Sequence, residues 1–165
     1  MIQRKQTLFL LAVLIISVIM FFLPFQSIFI PNDITFNLSL LRDSRAFGYT
    51  FSNSNIYWPL LLNALIIVLS FFAIFLYKKR PVQYKIAYLI VLVNVIITGL
   101  FFLLNYIGIG FYYGKHLEHF KKIYEEEISY KIGAFLPIIS AIFALLAAHF
   151  IKKDEQLVRN SDRIR

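Results

Sequence analysis

The sequence predicts an all-α membrane protein with four transmembrane helices, a small external β-hairpin between helices 1 and 2, and an external amphipathic segment between helices 3 and 4. Three observations support this fold class. Hydrophobic residues make up 59% of the 165-residue chain, against roughly 45 to 50% in soluble domains. Four apolar stretches, at about 7–24, 58–77, 86–104 and 132–151, contain no Asp, Glu, Lys or Arg. Basic residues gather at the ends of these stretches.

Each apolar stretch is long enough to be a transmembrane helix. Crossing a hydrocarbon core of ~30 Å takes about 20 residues at a rise of ~1.5 Å each. We therefore expect a single four-helix domain over 1–165, ending in a cytoplasmic tail at 152–165. The first stretch is longer than the apolar region of a secretory signal and no small-residue cleavage site follows it, so we expect a retained anchor.

The distribution of basic residues predicts that both termini are cytoplasmic. Of the 17 Lys and Arg residues, eleven lie beside the two termini and in the short connector at 78–85, and six lie in the other two connectors. Lys and Arg are in excess on the cytoplasmic side of membrane proteins. The net charge of +8 therefore reflects topology and attraction to anionic lipid. We expect membrane lipid, and not nucleic acid, as the partner of this charge.

The two long external connectors carry different periodicities. Apolar and polar residues alternate over 34–40, and a second alternation follows over 47–51, which predicts a β-hairpin. Since an isolated hairpin is marginal in water, its apolar face should be covered by the bundle, the other connector or a partner. In the second connector, apolar residues spaced by three and four predict an amphipathic helix. These residues are Leu117, Phe120, Tyr124 and Ile128.

We expect no catalytic residue, no cofactor and no metal site. The absence of cysteine excludes disulfides, thiolate catalysis and cysteine-ligated metals. His116, Glu118 and His119 are the best metal-ligand candidates, but two histidines without a third ligand at a recognisable spacing are better interpreted as a solvated face. The chain also shows no Ser-His-Asp set or carboxylate pair at the membrane surface, which argues against an enzyme.

Neutral polar residues occur at similar predicted depths in the four spans, and these are Ser17, Ser70, Asn94 and Ser140. An unpaired amide is costly in lipid, so we expect them to form hydrogen bonds between helices, with Asn94 bonding to Ser140 or Ser70. A substrate-contacting amide is the alternative interpretation. Asn63 is expected nearer the outer surface, within reach of water.

The tail is longer than membrane anchoring requires. Lys152 and Lys153 would suffice for an anchor, yet a helical pattern continues, with Leu157 and Ile164 seven residues apart. We expect the N-terminal segment and the tail to form one cytoplasmic platform that docks onto a partner, with Arg4 facing Asp154, Glu155 or Asp162. The predicted docking residues are Gln3, Arg4, Glu155, Leu157, Arg159, Asp162, Arg163 and Ile164.

The two ends of the chain carry a family resemblance. The opening Met1-Ile2-Gln3-Arg4, the four spans and the closing segment from Asp154 to Arg165 resemble an uncharacterised integral membrane family of Bacteroidota, one of the families of unknown function. Family tails tend to have Ser-Ala where this chain has Asn160-Ser161. The resemblance implies an inner-membrane protein of a Gram-negative envelope and supplies no activity.

These features favour a non-enzymatic accessory or scaffolding subunit of a larger envelope complex in the inner membrane. Its expected partners are lipid and other envelope membrane proteins, and a homo-oligomer is a further candidate. The alternative is a small oligomeric transporter or channel. The absence of charged residues within the spans counts against that alternative, because intramembrane charges usually mark ion and proton paths.

Overall fold

The computed structural model describes residues 3–30, 34–38, 40, 45–46, 49–50, 57–107 and 127–163. This part of the chain contains four long helices, which are α1 (Gln3–Phe22), α2 (Tyr57–Phe75), α3 (Arg80–Ile107) and α4 (Leu136–Arg163). Its strands are β1 (Gln26–Ile30), β2 (Ile34–Leu38), β3 (Arg45–Ala46), β4 (Tyr49–Thr50) and β5 (Glu127–Tyr130). Short 3-10 turns occupy Leu76–Lys78 and Ile132–Ala134.

Within the described residues, four helices are long and apolar enough to cross a membrane, as predicted. Their apolar windows are Lys5–Phe22, Trp58–Phe75, Arg80–Phe102 and Ile132–Asn160. Two helices are longer than the predicted spans, since α3 and α4 each contain 28 residues. The early start of α3 is compatible with Pro81, because proline fits the first turn of a helix, where its missing N–H has no intrahelical partner.

The four helices pack as a closed bundle in which α1 contacts α2, α2 contacts α3, α3 contacts α4, and α4 contacts α1. The outward-facing side chains of the bundle include exposed Leu, Ile, Val and Phe. The buried face of α4, in contrast, carries several small side chains. Ala144, Ala147 and Ala148 there are fully buried. Lipid provides no hydrophobic driving force between helices, so small residues that let backbones approach closely help to hold the bundle together.

The two long connectors meet in one antiparallel sheet with strand order β2-β1-β5. Gln26 of β1 lies opposite Leu38 of β2 on one side and opposite Tyr130 of β5 on the other. We call this end of the bundle the sheet end, and the opposite end, where α1 begins and α4 finishes, the termini end. The sheet links the chain segments that follow α1 and precede α4.

This strand order corrects the predicted hairpin. The strand at 34–38 pairs with β1, not with the alternation at 47–51, where Tyr49 pairs with Ala46 in a separate two-stranded ladder. A connector of three residues joins β1 to β2, and a short loop costs less closure entropy than a longer one. The second connector supplies a third strand, which an isolated hairpin needs for stability.

The predicted amphipathic segment is corrected at its end. Most of it, including Leu117, Phe120 and Tyr124, lies outside the described residues. Ile128, its last apolar position, belongs to β5 and lies opposite Ile28 of β1. Strand pairing with β1 overrides the local helical spacing here, because the edge of β1 offers backbone partners to residues 127–130.

Backbone contacts fix the sheet to the bundle. The backbone N–H of Lys131 donates to the carbonyl of Phe25 at 3.1 Å, and that of Gly133 donates to the carbonyl of Pro24 at 3.1 Å. The Phe25 ring stacks on Phe101 of α3 with the ring centroids 4.6 Å apart. Both rings are almost fully buried, so an aromatic pair fills the core at the sheet end.

Replacing Gly133 with alanine should destabilise the fold, because its added Cβ would lie 2.6 Å from the Pro24 carbonyl oxygen and 2.8 Å from the Pro24 carbonyl carbon. Overpacking of this kind costs about 1–3 kcal/mol. Denaturation of Gly133→Ala in mixed micelles, followed by circular dichroism, measures the loss. The matched control is Ile132→Ala, at a neighbouring position that is 73% exposed. Equal stability of the two variants would contradict the close approach.

Candidate functional site

A buried polar contact joins α1 to α4 at the termini end. The side-chain amide of Gln6 donates to the carboxylate of Asp154 and to the backbone carbonyl of Phe150 at 3.3 Å. Gln6 is 4% exposed and Asp154 is 8% exposed. The carboxylate is therefore held by a neutral donor from the neighbouring helix at the point where α4 leaves the bundle. We call this pair the Gln6–Asp154 contact.

Helical periodicity explains why these two side chains face each other. On α1, Gln6 is followed at intervals of four, three and four by the buried residues Leu10, Val13 and Ser17. On α4, a buried face runs at the same intervals through Ser140, Ala144, Ala147 and Ile151 and ends at Asp154. Both polar side chains thus extend the inward face of their helix. The same spacing in the sequence could have identified Gln6, which the sequence analysis missed.

The structure describes part of the region that was predicted to form a cytoplasmic platform. The beginning of α1 and the end of α4 do lie side by side, through Gln6 and Asp154. Glu155 is half-buried and Arg159 is exposed. Gln3 and Arg4 lie in the first turn of α1, and Asp162 and Arg163 lie in the last turn of α4. The side chains of these four residues, and Ile164 as a whole, lie outside the described residues, so the pairing of Arg4 stays a prediction.

The tail is helical, as its pattern predicted. α4 continues without a break from the apolar span to Arg163, so the part beyond Asp154 is about 13 Å long at a rise of ~1.5 Å per residue. We call residues 155–163 the α4 extension. It carries two adjacent half-exposed apolar side chains, Leu157 at 52% and Val158 at 46%. Its surface also presents Gln156, Arg159 and Asn160.

Asn63 forms a hydrogen bond between helices near the middle of the bundle. Its side-chain Nδ2 donates to the backbone carbonyl of Ser17 at 2.9 Å, which ties α2 to α1. Asn63 was expected near the outer surface and within reach of water, but it is fully buried. The prediction was wrong because Asn63 lies on the inward face of α2, in helical register with buried Ile66 and Ser70.

The expected bond from Asn94 to Ser140 or Ser70 is absent among the described contacts. Asn94 Nδ2 instead donates to the carbonyl of Ile90, one turn earlier on α3, at 2.9 Å. The carbonyl four residues back along a helix is always close to a short polar side chain, so it competes with partners on other helices. Ser70 and Ser140 are buried as expected, yet neither hydroxyl has a hydrogen-bond partner in the described part of the chain.

The contacts between helices place one polar residue from each helix at the same level. On α1 and α4, Gln6 contacts Phe150. Ser17 lies eleven residues from Gln6 towards the sheet end, and Ser140 lies ten residues from Phe150 in the same direction. On the other pair of helices, Gln83 Nε2 donates to the Ala73 carbonyl at 2.9 Å. Eleven residues beyond Gln83 is Asn94, and ten residues before Ala73 is Asn63.

The bond from Asn63 to the Ser17 carbonyl links the two pairs of helices. We call Ser17, Asn63, Asn94 and Ser140 the polar layer. Ser70 was predicted to share this depth, but it lies seven residues from Asn63 towards the termini end, about 10 Å away along the axis. Asn63, not Ser70, is the member that α2 contributes.

Each residue of the polar layer keeps a polar atom with no hydrogen-bond partner among the described residues. These atoms are Ser17 Oγ, Asn63 Oδ1, Asn94 Oδ1 and Ser140 Oγ. All four residues are at most 1% exposed. Burying a polar group without a hydrogen bond costs roughly 2–7 kcal/mol. The observed direct bonds therefore do not explain why the bundle keeps four polar residues at this level.

Metal binding finds no support in the described residues, where no group of three or more His, Cys, Asp and Glu side chains could hold an ion. His116, Glu118 and His119, the candidates from the sequence, lie outside those residues. Within the described residues, the Gln6–Asp154 contact and the polar layer bring buried polar groups of different helices together.

Four membrane-length helices, a sheet across one end and buried polar contacts inside the bundle are the features of a multi-pass membrane protein. The chain belongs to the family described as Domain of unknown function (DUF4293), whose model matches residues 2–164. This match confirms the family of unknown function expected from the two chain ends, and the Bacteroidota origin stays a prediction. Comparisons with curated proteins and with solved structures gave no match.

Removing the Gln6 amide should destabilise the bundle, because it leaves the buried Asp154 carboxylate without its donor. A hydrogen bond to a charged group contributes about 1.5–3 kcal/mol, and Gln6→Ala should lose stability of that order in detergent unfolding. The double variant Gln6→Leu/Asp154→Leu should recover most of it, since replacing both partners with apolar groups can be nearly neutral. Lys153→Gln, at an exposed neighbouring position, is the control. A Gln6→Ala protein as stable as this control would refute the role of the contact.

Proposed function

We propose that this protein is a non-enzymatic accessory or scaffolding subunit of a larger envelope complex in a bacterial inner membrane. Both termini face the cytoplasm in this proposal, as the excess of Lys and Arg at the termini end favours. The observation that carries the proposal is the α4 extension, a helix that leaves the bundle with Leu157 and Val158 half-exposed. It gives the protein a defined surface for a partner on the cytoplasmic side.

The base of the α4 extension is held by the rest of the protein. Asp154, the residue directly before it, is buried against Gln6 of α1. The neighbouring helix α1 therefore supports the extension where it begins. A surface that is already ordered loses less conformational entropy when a partner binds, so this anchoring favours docking.

The chemistry of the α4 extension suits a protein partner with a groove. Leu157 and Val158 are adjacent apolar side chains, and the other exposed residues described in the α4 extension, Gln156, Arg159 and Asn160, are polar or basic. Grooves that bind helices recognise a few apolar anchors and use surrounding charges for orientation. The two apolar residues lie beyond Lys152 and Lys153, which are expected at the lipid headgroups.

Substitution of the two apolar anchors tests the proposal. Crosslinking in native membranes followed by pull-down should recover a partner with the wild-type chain and lose it with Leu157→Ser/Val158→Ser. The loss should match that of a chain truncated after Asp154, which keeps the Gln6–Asp154 contact, because burial of a Leu or Val side chain contributes ~1.5–3 kcal/mol. That contribution corresponds to about a tenfold or larger change in affinity for each residue.

The matched control is Gln156→Ser/Asn160→Ser, which changes two exposed polar residues of the same extension. This variant should keep the partner. Recovery of an isolated protomer from mild detergent at every concentration, or equal recovery of the partner by both double variants, would contradict the scaffolding function.

An oligomeric transporter or channel is the second candidate, and the polar layer is the observation that favours it. Buried polar groups at one level in all four helices could contact a solute. The Phe25–Phe101 stack fills the core at the sheet end, so a path through the bundle would require those rings to move. Solute uptake into proteoliposomes that is lost in Asn63→Leu would replace the scaffolding proposal with this one.

A further inference from the structure

We propose that the polar layer is an internal water-binding site formed by all four helices. Ser17, Asn63, Asn94 and Ser140 lie at one level, and Ser17 is about 21 Å along the axis from Gln3, the first residue of α1. Each is at most 1% exposed. This proposal is independent of the docking function, because it concerns the centre of the bundle and not the α4 extension.

The hydrogen bonds already present decide which atoms are available to a ligand. The Asn63 and Asn94 amide nitrogens donate to the carbonyls of Ser17 and Ile90. Their Oδ1 atoms are acceptors without a partner among the described residues, as are the hydroxyls of Ser17 and Ser140. The layer therefore offers two carbonyl acceptors and two hydroxyls that can both donate and accept.

Water matches this set of atoms. One water molecule can donate two hydrogen bonds, to Asn63 Oδ1 and Asn94 Oδ1, and accept two, from the hydroxyls of Ser17 and Ser140. Buried waters in proteins typically form about three such bonds to groups that would otherwise be unpaired. A monovalent cation could bind the same oxygens, but it could not accept from the hydroxyls. None of the four residues of the layer is acidic, so none would neutralise its charge.

The surroundings of the layer isolate it. Towards the termini end the buried residues of the four helices include Val13, Ile66 and Ile90, and towards the sheet end they include Ile97 and Phe101. Apolar cavities stay dry, whereas a polar site with two to four partners retains water. The proposal thus predicts hydration at the level of the polar layer, between these apolar residues.

Nuclear magnetic resonance of the full chain in deuterated lipid bilayers tests this proposal. In uniformly ¹⁵N-labelled protein, magnetisation transferred from water should reach the side-chain amides of Asn63 and Asn94. It should not reach the backbone N–H of Ile97, which is fully buried one turn from Asn94. Absence of water transfer to both asparagines in the wild-type chain would overturn the proposal.

Two variants test whether the four helices share one site. Asn94→Leu should abolish the water transfer to Asn63, because it removes an acceptor and fills the layer with apolar atoms, while the bond from Asn63 to the Ser17 carbonyl remains. Ser70→Ala, which changes another buried hydroxyl outside the layer, should leave the transfer to Asn63 unchanged. Water transfer to Asn63 that persists in a folded Asn94→Leu protein would refute a shared site.

If Asn94→Leu does not fold, Ser140→Ala replaces it as the smaller change, and weakened transfer to both asparagines is expected. The choice of salt in the buffer distinguishes bound water from a bound cation. Water transfer should be the same in sodium, potassium and N-methylglucamine salts. Signals of Asn63 and Asn94 that change only when sodium or potassium is present would show a cation site and overturn the proposal of water.

Discussion

The structure depends on one constraint, which is that polar groups inside a bilayer must find partners within the protein. Helical hydrogen bonding satisfies the backbone of the four spans. At the sheet end, where the helices stop, β1 pairs on both sides and the N–H groups of Lys131 and Gly133 donate to the chain that leaves α1. At the termini end, the Asp154 carboxylate meets the Gln6 amide. The constraint is least satisfied in the middle of the bundle, where all four residues of the polar layer keep a side-chain oxygen that the described contacts leave unpaired.

The number and placement of the helices could be predicted from the sequence because each depends on a local property. An apolar stretch of about 20 residues is read from the chain alone, and the spacing of Leu157 in the tail indicated a helix that the structure contains. The strand at 34–38 was predicted for the same reason. The partner of this strand was not predicted, since alternation of apolar and polar residues identifies strands but does not show which strands pair with each other. The third strand, β5, was missed because its residues also fit a helical spacing.

The candidate site was less predictable because it depends on which face of each helix is buried. Depth counted from span ends placed Ser70 beside Asn94, but the contact between Gln83 and Ala73 shows that Asn63 shares the level of Asn94. The N-terminal segment and tail were expected to meet through Arg4. The observed partner of Asp154 is Gln6. Because Gln6 is uncharged, a search for residues of opposite charge does not find it. Extending the buried face of α4 by one turn beyond Ile151 would have identified Asp154 as an inward residue.

The Gln6–Asp154 contact also connects the two chain ends on which the family resemblance rests. The described helices bring the first turns of α1 beside the last buried turn of α4, so residues far apart in sequence form one local structure. A partner that binds the α4 extension would therefore act on a helix whose base is bonded to α1. The Gln6–Asp154 contact lies directly at the base of the extension, so it is the first contact that a movement of the extension would change.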